Sequence, residues 1–93
     1  IKVVIFINGC FWHGHLGCKK STLPSTRKDF WKNKINGNIE RDKRNINKLI
    51  KTGWRVAILW ECCLINSDYI LKSINLLLDW INKSETYLEI PEK

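Results

Sequence analysis

The chain opens on an apolar run. Residues 2–7, Lys-Val-Val-Ile-Phe-Ile, are β-branched and aromatic without alternation, which predicts a strand buried on both faces, as in an α/β sheet. Residues 8–25 read as loop, carrying Gly9, Gly14, Gly17 and Pro24. Thr26-Arg27-Lys28-Asp29 then reads as a capping box in which Asp replaces the usual Glu. Apolar residues recur at Trp31, Ile35, Ile39, Ile46, Leu49 and Ile50, close to helical spacing, with Gly37 as a point of kinking and Gly53 as the C-terminal stop. Residues 54–60, Trp-Arg-Val-Ala-Ile-Leu-Trp, predict a second strand. Asn66 or Ser67 caps a final helix whose expected buried face is Tyr69, Ile70, Ile74, Leu77, Leu78 and Ile81. The stretch 84–93 is polar and expected to be an irregular tail.

The order strand, loop, long helix, strand, helix is an α/β pattern with a parallel crossover. Ninety-three residues without repeats or a linker form one domain, 1–93. Two strands make a poor sheet. The sequence also lacks methionine, so the expectation is an N-terminally truncated domain whose remaining strands precede Ile1. The longest apolar run, residues 3–7, is far too short for a membrane span.

Charge adds a partner class. The chain carries +7 overall. Residues 19–55 hold twelve Lys and Arg against Asp29, Glu40 and Asp42, a local +9, so the rest is weakly acidic. A concentrated basic segment favours a polyanion, since each neutralised phosphate releases counterions.

Cys10, His13, His15 and Cys18 fall within nine positions, and Cys62 and Cys63 follow the second strand. Two short loops at neighbouring strand ends could supply the four thiolate and imidazole ligands of a tetrahedral zinc site. A Cys62–Cys63 bridge would be strained. The cluster has a histidine to spare: one binds metal, and the other is either a general base with a pKa near neutrality or a hydrogen-bonding surface side chain. Spacing does not choose between His13 and His15. Phe11 and Trp12 lie inside this loop and Trp31 lies one turn into the basic helix. Aromatic rings beside basic groups stack on bases or wedge between base steps. Trp54 and Trp60, on the second strand, read as core.

Four motifs then occur in order: Asn-Gly-Cys-Phe-Trp-His-Gly-His (8–15), Pro-Ser-Thr-Arg-Lys-Asp-Phe-Trp (24–31), Asn-Ile-Glu-Arg-Asp (38–42) and Gly-Trp-Arg-Val-Ala-Ile-Leu-Trp-Glu-Cys (53–62). Together they resemble the very short patch repair endonucleases, over about two-thirds of the chain. The resemblance implies a restriction-endonuclease-like α/β fold, with a central mixed sheet flanked by helices and a structural zinc. It implies Cys10, His15, Cys18 and Cys62 as zinc ligands, with Cys63 a bystander. His13 would be the catalytic histidine that activates water, and Asp42 and Asn8 would complete the active-site set in this chain. Catalytic Mg²⁺ would be held in part by the Ile7 backbone carbonyl, with its charge offsetting that of the phosphate under attack. Phe11, Trp12 and Trp31 would wedge into the duplex, and Lys34 and Asn38 would contact the mismatched bases.

The implied activity is a DNA endonuclease that nicks beside a T:G mismatch. Its partners would be mismatched double-stranded DNA, a cognate cytosine methyltransferase and mismatch-repair factors. The setting would be a monomer in the bacterial cytoplasm, associated with the nucleoid. Asn8 stands where the family usually has His or Asp, the His15–Cys18 interval is one residue longer than in many relatives, and the family's metal-binding aspartate precedes Ile1. Two other readings follow from these departures: a homing-type endonuclease of the same superfamily without a mismatch requirement, and a zinc-stapled DNA-binding module without catalysis.

Overall fold

The computed structural model describes residues 2–15, 18 and 22–91. Gly17, Lys19 and Lys20, and the end of the tail at Glu92 and Lys93, lie outside them. The element order is β1 (Val3–Asn8), α1 (Lys28–Lys51), β2 (Arg55–Trp60), a 3₁₀ turn (Glu61–Leu64), α2 (Ser67–Ile81) and β3 (Tyr87–Ile90). The strands form one sheet in the order β1-β2-β3. Both pairings are parallel, with Ile7 opposite Leu59, Asn8 opposite Trp60 and Ile58 opposite Glu89.

Three expectations change here. The tail is not irregular: Tyr87–Ile90 adds a third strand. Tyr-Leu-Glu-Ile alternates with the period of a strand, and a parallel neighbour supplies the hydrogen bonds that four residues cannot make alone. Among the described residues the sheet is parallel throughout rather than mixed. The capping box is also absent. Arg27 occupies the N-cap at φ 53°, with no side-chain cap, and its guanidinium lies 4.2 Å above the Phe30 ring.

The pleat of β2 divides the core into two layers. Ala57 and Leu59 face α2, packing with Trp80, Leu77, Ile81, Cys63 and Ile90. Val56, Ile58 and Trp60 face α1, packing with Phe6, Ile46, Leu49 and Ile50. Every β2 residue from Val56 to Trp60 is buried, as expected for a strand covered on both sides.

Helix α1 runs unbroken through Gly37, and a Cβ there would meet nothing within 4 Å. It ends as expected. Thr52 Oγ1 donates to the carbonyls of Lys48 and Leu49, and Gly53 takes φ +93° while its N–H donates to Ile50 O. Helix α2 starts at Asn66, whose Oδ1 accepts from the Tyr69 N–H at 2.9 Å. Its core-facing stripe matches the expected one only at Leu77 and Ile81, which pack on the sheet. Ser73 and Trp80 are buried, whereas Tyr69, Ile70, Ile74 and Leu78 are exposed. Because α2 is apolar nearly all round, its hydrophobic periodicity does not single out the stripe that meets the sheet.

Candidate functional site

The loop after β1 emerges at the C-terminal edge of a parallel sheet, where side chains from several elements converge. It folds back in tight turns, with His13 N–H bonded to Gly9 O at 3.2 Å and His15 N–H to Cys10 O at 2.9 Å. Glu61, just beyond β2, ties it down by accepting the Cys10 N–H at 3.1 Å. Gly14 sits at φ +60° against α1, where a Cβ would come within 2.6 Å of Ile39 Cδ1. Glycine is what allows the loop and helix to approach so closely.

This approach gathers Cys10, His15, Cys18 and Cys62, whose ligand atoms all lie within 4.8 Å of one another. His15 Nδ1 is 3.5 Å from Cys10 Sγ and 3.6 Å from Cys62 Sγ. Ordinary Zn–S and Zn–N bonds in a tetrahedron put sulfur and nitrogen about 3.5 Å apart, so the donors fit such an ion. Burial, reinforced by the neighbouring thiols Cys10 and Cys18, pushes the Cys62 thiol up to about 12. Burial likewise raises Cys10. A cation reverses this balance, because thiolates rather than thiols are its ligands. Among the described residues no cysteine is in a disulfide. Cys63 is buried under α2, in the opposite core layer from Cys10, and among the described residues it belongs to no such cluster.

His13 stands outside the cluster. Its Nδ1 lies 2.6 Å from Asp42 Oδ2, joining the loop to the middle of α1 across 29 residues. Both side chains are about one-quarter exposed, so the pair borders solvent. They line a cleft of about 310 Å³ together with Asn8, Lys43, Trp60, Tyr87 and Glu89. Asn8 is buried at the end of β1. Ile7 beside it turns an exposed side chain outward while its backbone pairs with β2.

The aromatic residues form a cluster at the mouth of the loop. Phe11 packs edge-on against Trp12 at 5.1 Å and Trp31 at 5.5 Å, and Trp12 meets Trp31 at 5.7 Å. Trp12 is half exposed. Asn38 is not free for bases here: its Nδ2 donates to the Trp12 carbonyl at 2.8 Å while its Oδ1 accepts from Arg41. Lys34 lies exposed on the same helix.

The residue pattern did not mark Trp60 or Glu89 as site residues. Trp60 is core, as expected, but its ring also stacks on His15, with centroids 4.1 Å apart and planes 4° apart. Glu89 Oε2 accepts the Trp60 indole N–H at 2.7 Å. The signal for Glu89 was the alternation of residues 87–90, which was masked by its polar surroundings. A larger groove of about 510 Å³ lies on the α2 side, around Tyr69, Leu76 and Ile90. Among the described residues its lining includes no histidine or carboxylate.

No protein-family model matches the chain. It is similar to the DNA mismatch endonuclease Vsr of Escherichia coli K12, 52% identical over 63 residues that cover 68% of this chain and 40% of that protein. The type II nicking enzyme V.XorIIP of Xanthomonas oryzae pv. oryzae is 42% identical over 78 residues, covering 84% and 57%. The type II nicking enzyme V.NmeAIP of Neisseria meningitidis serogroup A is 44% identical over 77 residues, covering 83% and 54%. The chain thus spans about half the length of the curated relatives it matches.

Proposed function

Since this chain belongs to the family of the Vsr mismatch endonuclease and the Vsr-like nicking enzymes, we propose that it carries the hydrolytic and DNA-reading machinery of an endodeoxyribonuclease that nicks beside a T:G mismatch. The observation that carries this reading is the short His13–Asp42 hydrogen bond, in an open cleft next to a metal-ligand cluster of which His13 is not a member. Asp42 accepts from Nδ1 and fixes the imidazole tautomer. Nε2 is left as the ring atom that takes a proton from the attacking water. Water oxygen bonds to phosphorus as the P–O bond to the leaving strand breaks. Asn8 contributes a hydrogen-bonding amide rather than a charge, as its side chain allows.

Zinc would be held by Cys10, His15, Cys18 and Cys62, where it supplies a structural clamp for the loop. Mg²⁺ is the second metal of this reading. The described residues contain no further cluster of three ligating side chains, and Asp42 with the Ile7 carbonyl would supply only part of the six oxygens that Mg²⁺ takes. The Phe11–Trp12–Trp31 cluster, with Trp12 exposed at its tip, is suited to wedge into a duplex, with the basic face of α1 along the phosphates. The overall frame of this reading is a restriction-endonuclease-like fold, acting as a monomer on the bacterial nucleoid after a cytosine methyltransferase and alongside mismatch-repair factors. No helix in the described residues is long and apolar enough to cross a membrane.

The test is to incubate the full protein and Mg²⁺ with matched oligonucleotide duplexes that carry T:G or T:A at one position. Strand-specific nicking of the T:G duplex alone is expected. Equal cutting of both would remove the mismatch claim and favour a site-specific enzyme, and binding without cutting would favour an inactive module.

A further inference from the structure

The strand that was not foreseen carries a carboxylate into the cleft. Glu89 pairs with Ile58 in the β2–β3 register, so its side chain projects on the α1 side of the sheet, diagonal to Trp60. Both carboxylate oxygens are engaged there. Oε2 accepts the Trp60 indole N–H at 2.7 Å, and Oε1 accepts the Tyr87 hydroxyl at 2.9 Å. Partial burial and the adjacent Glu89 carboxylate raise the Tyr87 phenol well above its usual range, which keeps it a donor.

Trp60 in turn touches both histidines. Its ring lies flat on His15 at 4.1 Å and edge-on to His13, with centroids 6.4 Å apart at 72°. It is 8% exposed, and its N–H is its only polar atom. Packing alone leaves an indole free to choose between flipped orientations of similar shape, whereas one short charge-assisted hydrogen bond selects a single orientation.

We infer that Glu89 is a positioning residue that acts through Trp60, locking the indole against which the metal-binding His15 and the water-activating His13 are both aligned. The kinetic consequence rests on the nuclease reading, while the structural consequence does not.

Two measurements separate them. In the zinc-loaded chain with ¹⁵N-labelled tryptophan, Glu89→Leu should speed exchange of the Trp60 indole proton about tenfold, as loss of a hydrogen bond to a charged acceptor allows, and move the ring-current-shifted proton signals of His13 and His15. Glu89→Gln keeps an acceptor and should retain both signatures. In the full protein, Glu89→Leu should lower the nicking kcat about tenfold while KM for DNA stays within about twofold, and Glu89→Gln should recover most of the loss.

The inference is overturned if Glu89→Leu leaves the exchange and ring shifts unchanged, or if Glu89→Gln keeps the indole protected yet nicks as poorly as Glu89→Leu. If the leucine variant does not fold, Trp60→Phe carries the test, since it keeps a ring but removes the donor. On that background Glu89→Gln should cause no further change in the histidine signals, and a further change overturns the inference. Wild-type protein that never nicks would remove the nuclease reading and leave the spectroscopic result standing.

Discussion

The imidazole of His13 and the carboxylate of Asp42 meet at 2.6 Å although they come from a loop and from the middle of a helix beyond it. The distance is that of a strong, charge-assisted hydrogen bond. It orients a ring that the loop alone would leave free to turn. Removing the base with His13→Ala should lower nicking by about 10²–10⁴-fold, the usual worth of positioned proton transfer. Asp42→Asn should lower it by at least about tenfold, because the amide no longer holds the required tautomer. Both variants should keep their affinity for DNA. Single-turnover nicking and equilibrium binding on the same duplex measure the two quantities, and a parallel loss of binding would show that the pair serves structure instead.

The metal cluster makes a prediction about pH. Without metal, burial holds the Cys62 thiol up near 12 and raises Cys10 as well. A thiol whose pKa is higher in the folded state than in the unfolded chain stabilises the fold below its unfolded pKa and loses that contribution as pH rises through the folded value. Chelated protein should therefore lose stability between about pH 8.5, the unfolded cysteine value, and about 12. Zinc should abolish that loss and release protons on binding. Thermal melts of chelated and zinc-loaded protein across this range, with zinc content checked at one ion per chain, decide the matter. Cys10→Ser and Cys62→Ser should bind no zinc and melt without cooperativity.

Parts of this arrangement were legible in the sequence for physical reasons. β2 declares itself because an apolar run covered on both faces needs no alternation; the first strand is just as apolar, but it lies at the sheet edge with Ile5 and Ile7 exposed, so the expected burial on both faces does not hold there. Gly53 marks the end of α1 because the left-handed turn there suits glycine. The grouping of Cys10, His15, Cys18 and Cys62 was expected from the resemblance, and the ligand atoms do converge. The side of α2 that meets the sheet was hidden, because a helix with leucines and isoleucines all round offers several equivalent stripes. β3 was hidden for the opposite reason. Four residues in a polar context become a strand only when β2 offers its edge, and with β3 came Glu89. Asn38 illustrates a third limit: its spacing could not reveal that its amide is bound to the Trp12 carbonyl.

That bond bears on mismatch reading. Asn38 fixes the backbone at Trp12, the most exposed ring of the aromatic cluster. Asn38→Ala should therefore loosen the cluster and reduce the preference for T:G over T:A duplexes, with little effect on binding to paired DNA. Lys48→Ala, a change farther along the same basic helix, should weaken binding to both duplexes alike. If Lys48 neutralises a phosphate, it should also lower the slope of log affinity against log salt by about 0.9. Titrations at several salt concentrations separate the outcomes. A salt-independent affinity would contradict electrostatic binding along α1.

Arg55 closes the far end of the sheet, and its loss should be felt throughout β3. The last carbonyls of a helix have no partners within the helix and carry its negative dipole end. Arg55, at the start of β2, donates to Trp80 O at 2.6 Å, Ile81 O at 3.0 Å and Glu85 O at 3.0 Å. Its guanidinium also lies 4.5 Å above the buried Trp80 ring. One planar fork thus joins β2, the end of α2 and the connection into β3. Hydrogen bonds from a charged donor contribute about 1.5–3 kcal/mol where they are partly buried. Arg55→Ala should cost about that much in urea denaturation, with an unchanged slope. Arg55→Lys should recover less than half, because an ammonium is a point charge and cannot present the same fork. The backbone amides of β3 should exchange faster in the alanine variant before the core does, since the connection to β3 is the least buried of the three contacts. Uniform acceleration across β1, β2 and β3 would instead mean that Arg55 supports global stability and has no particular hold on the strand that carries Glu89.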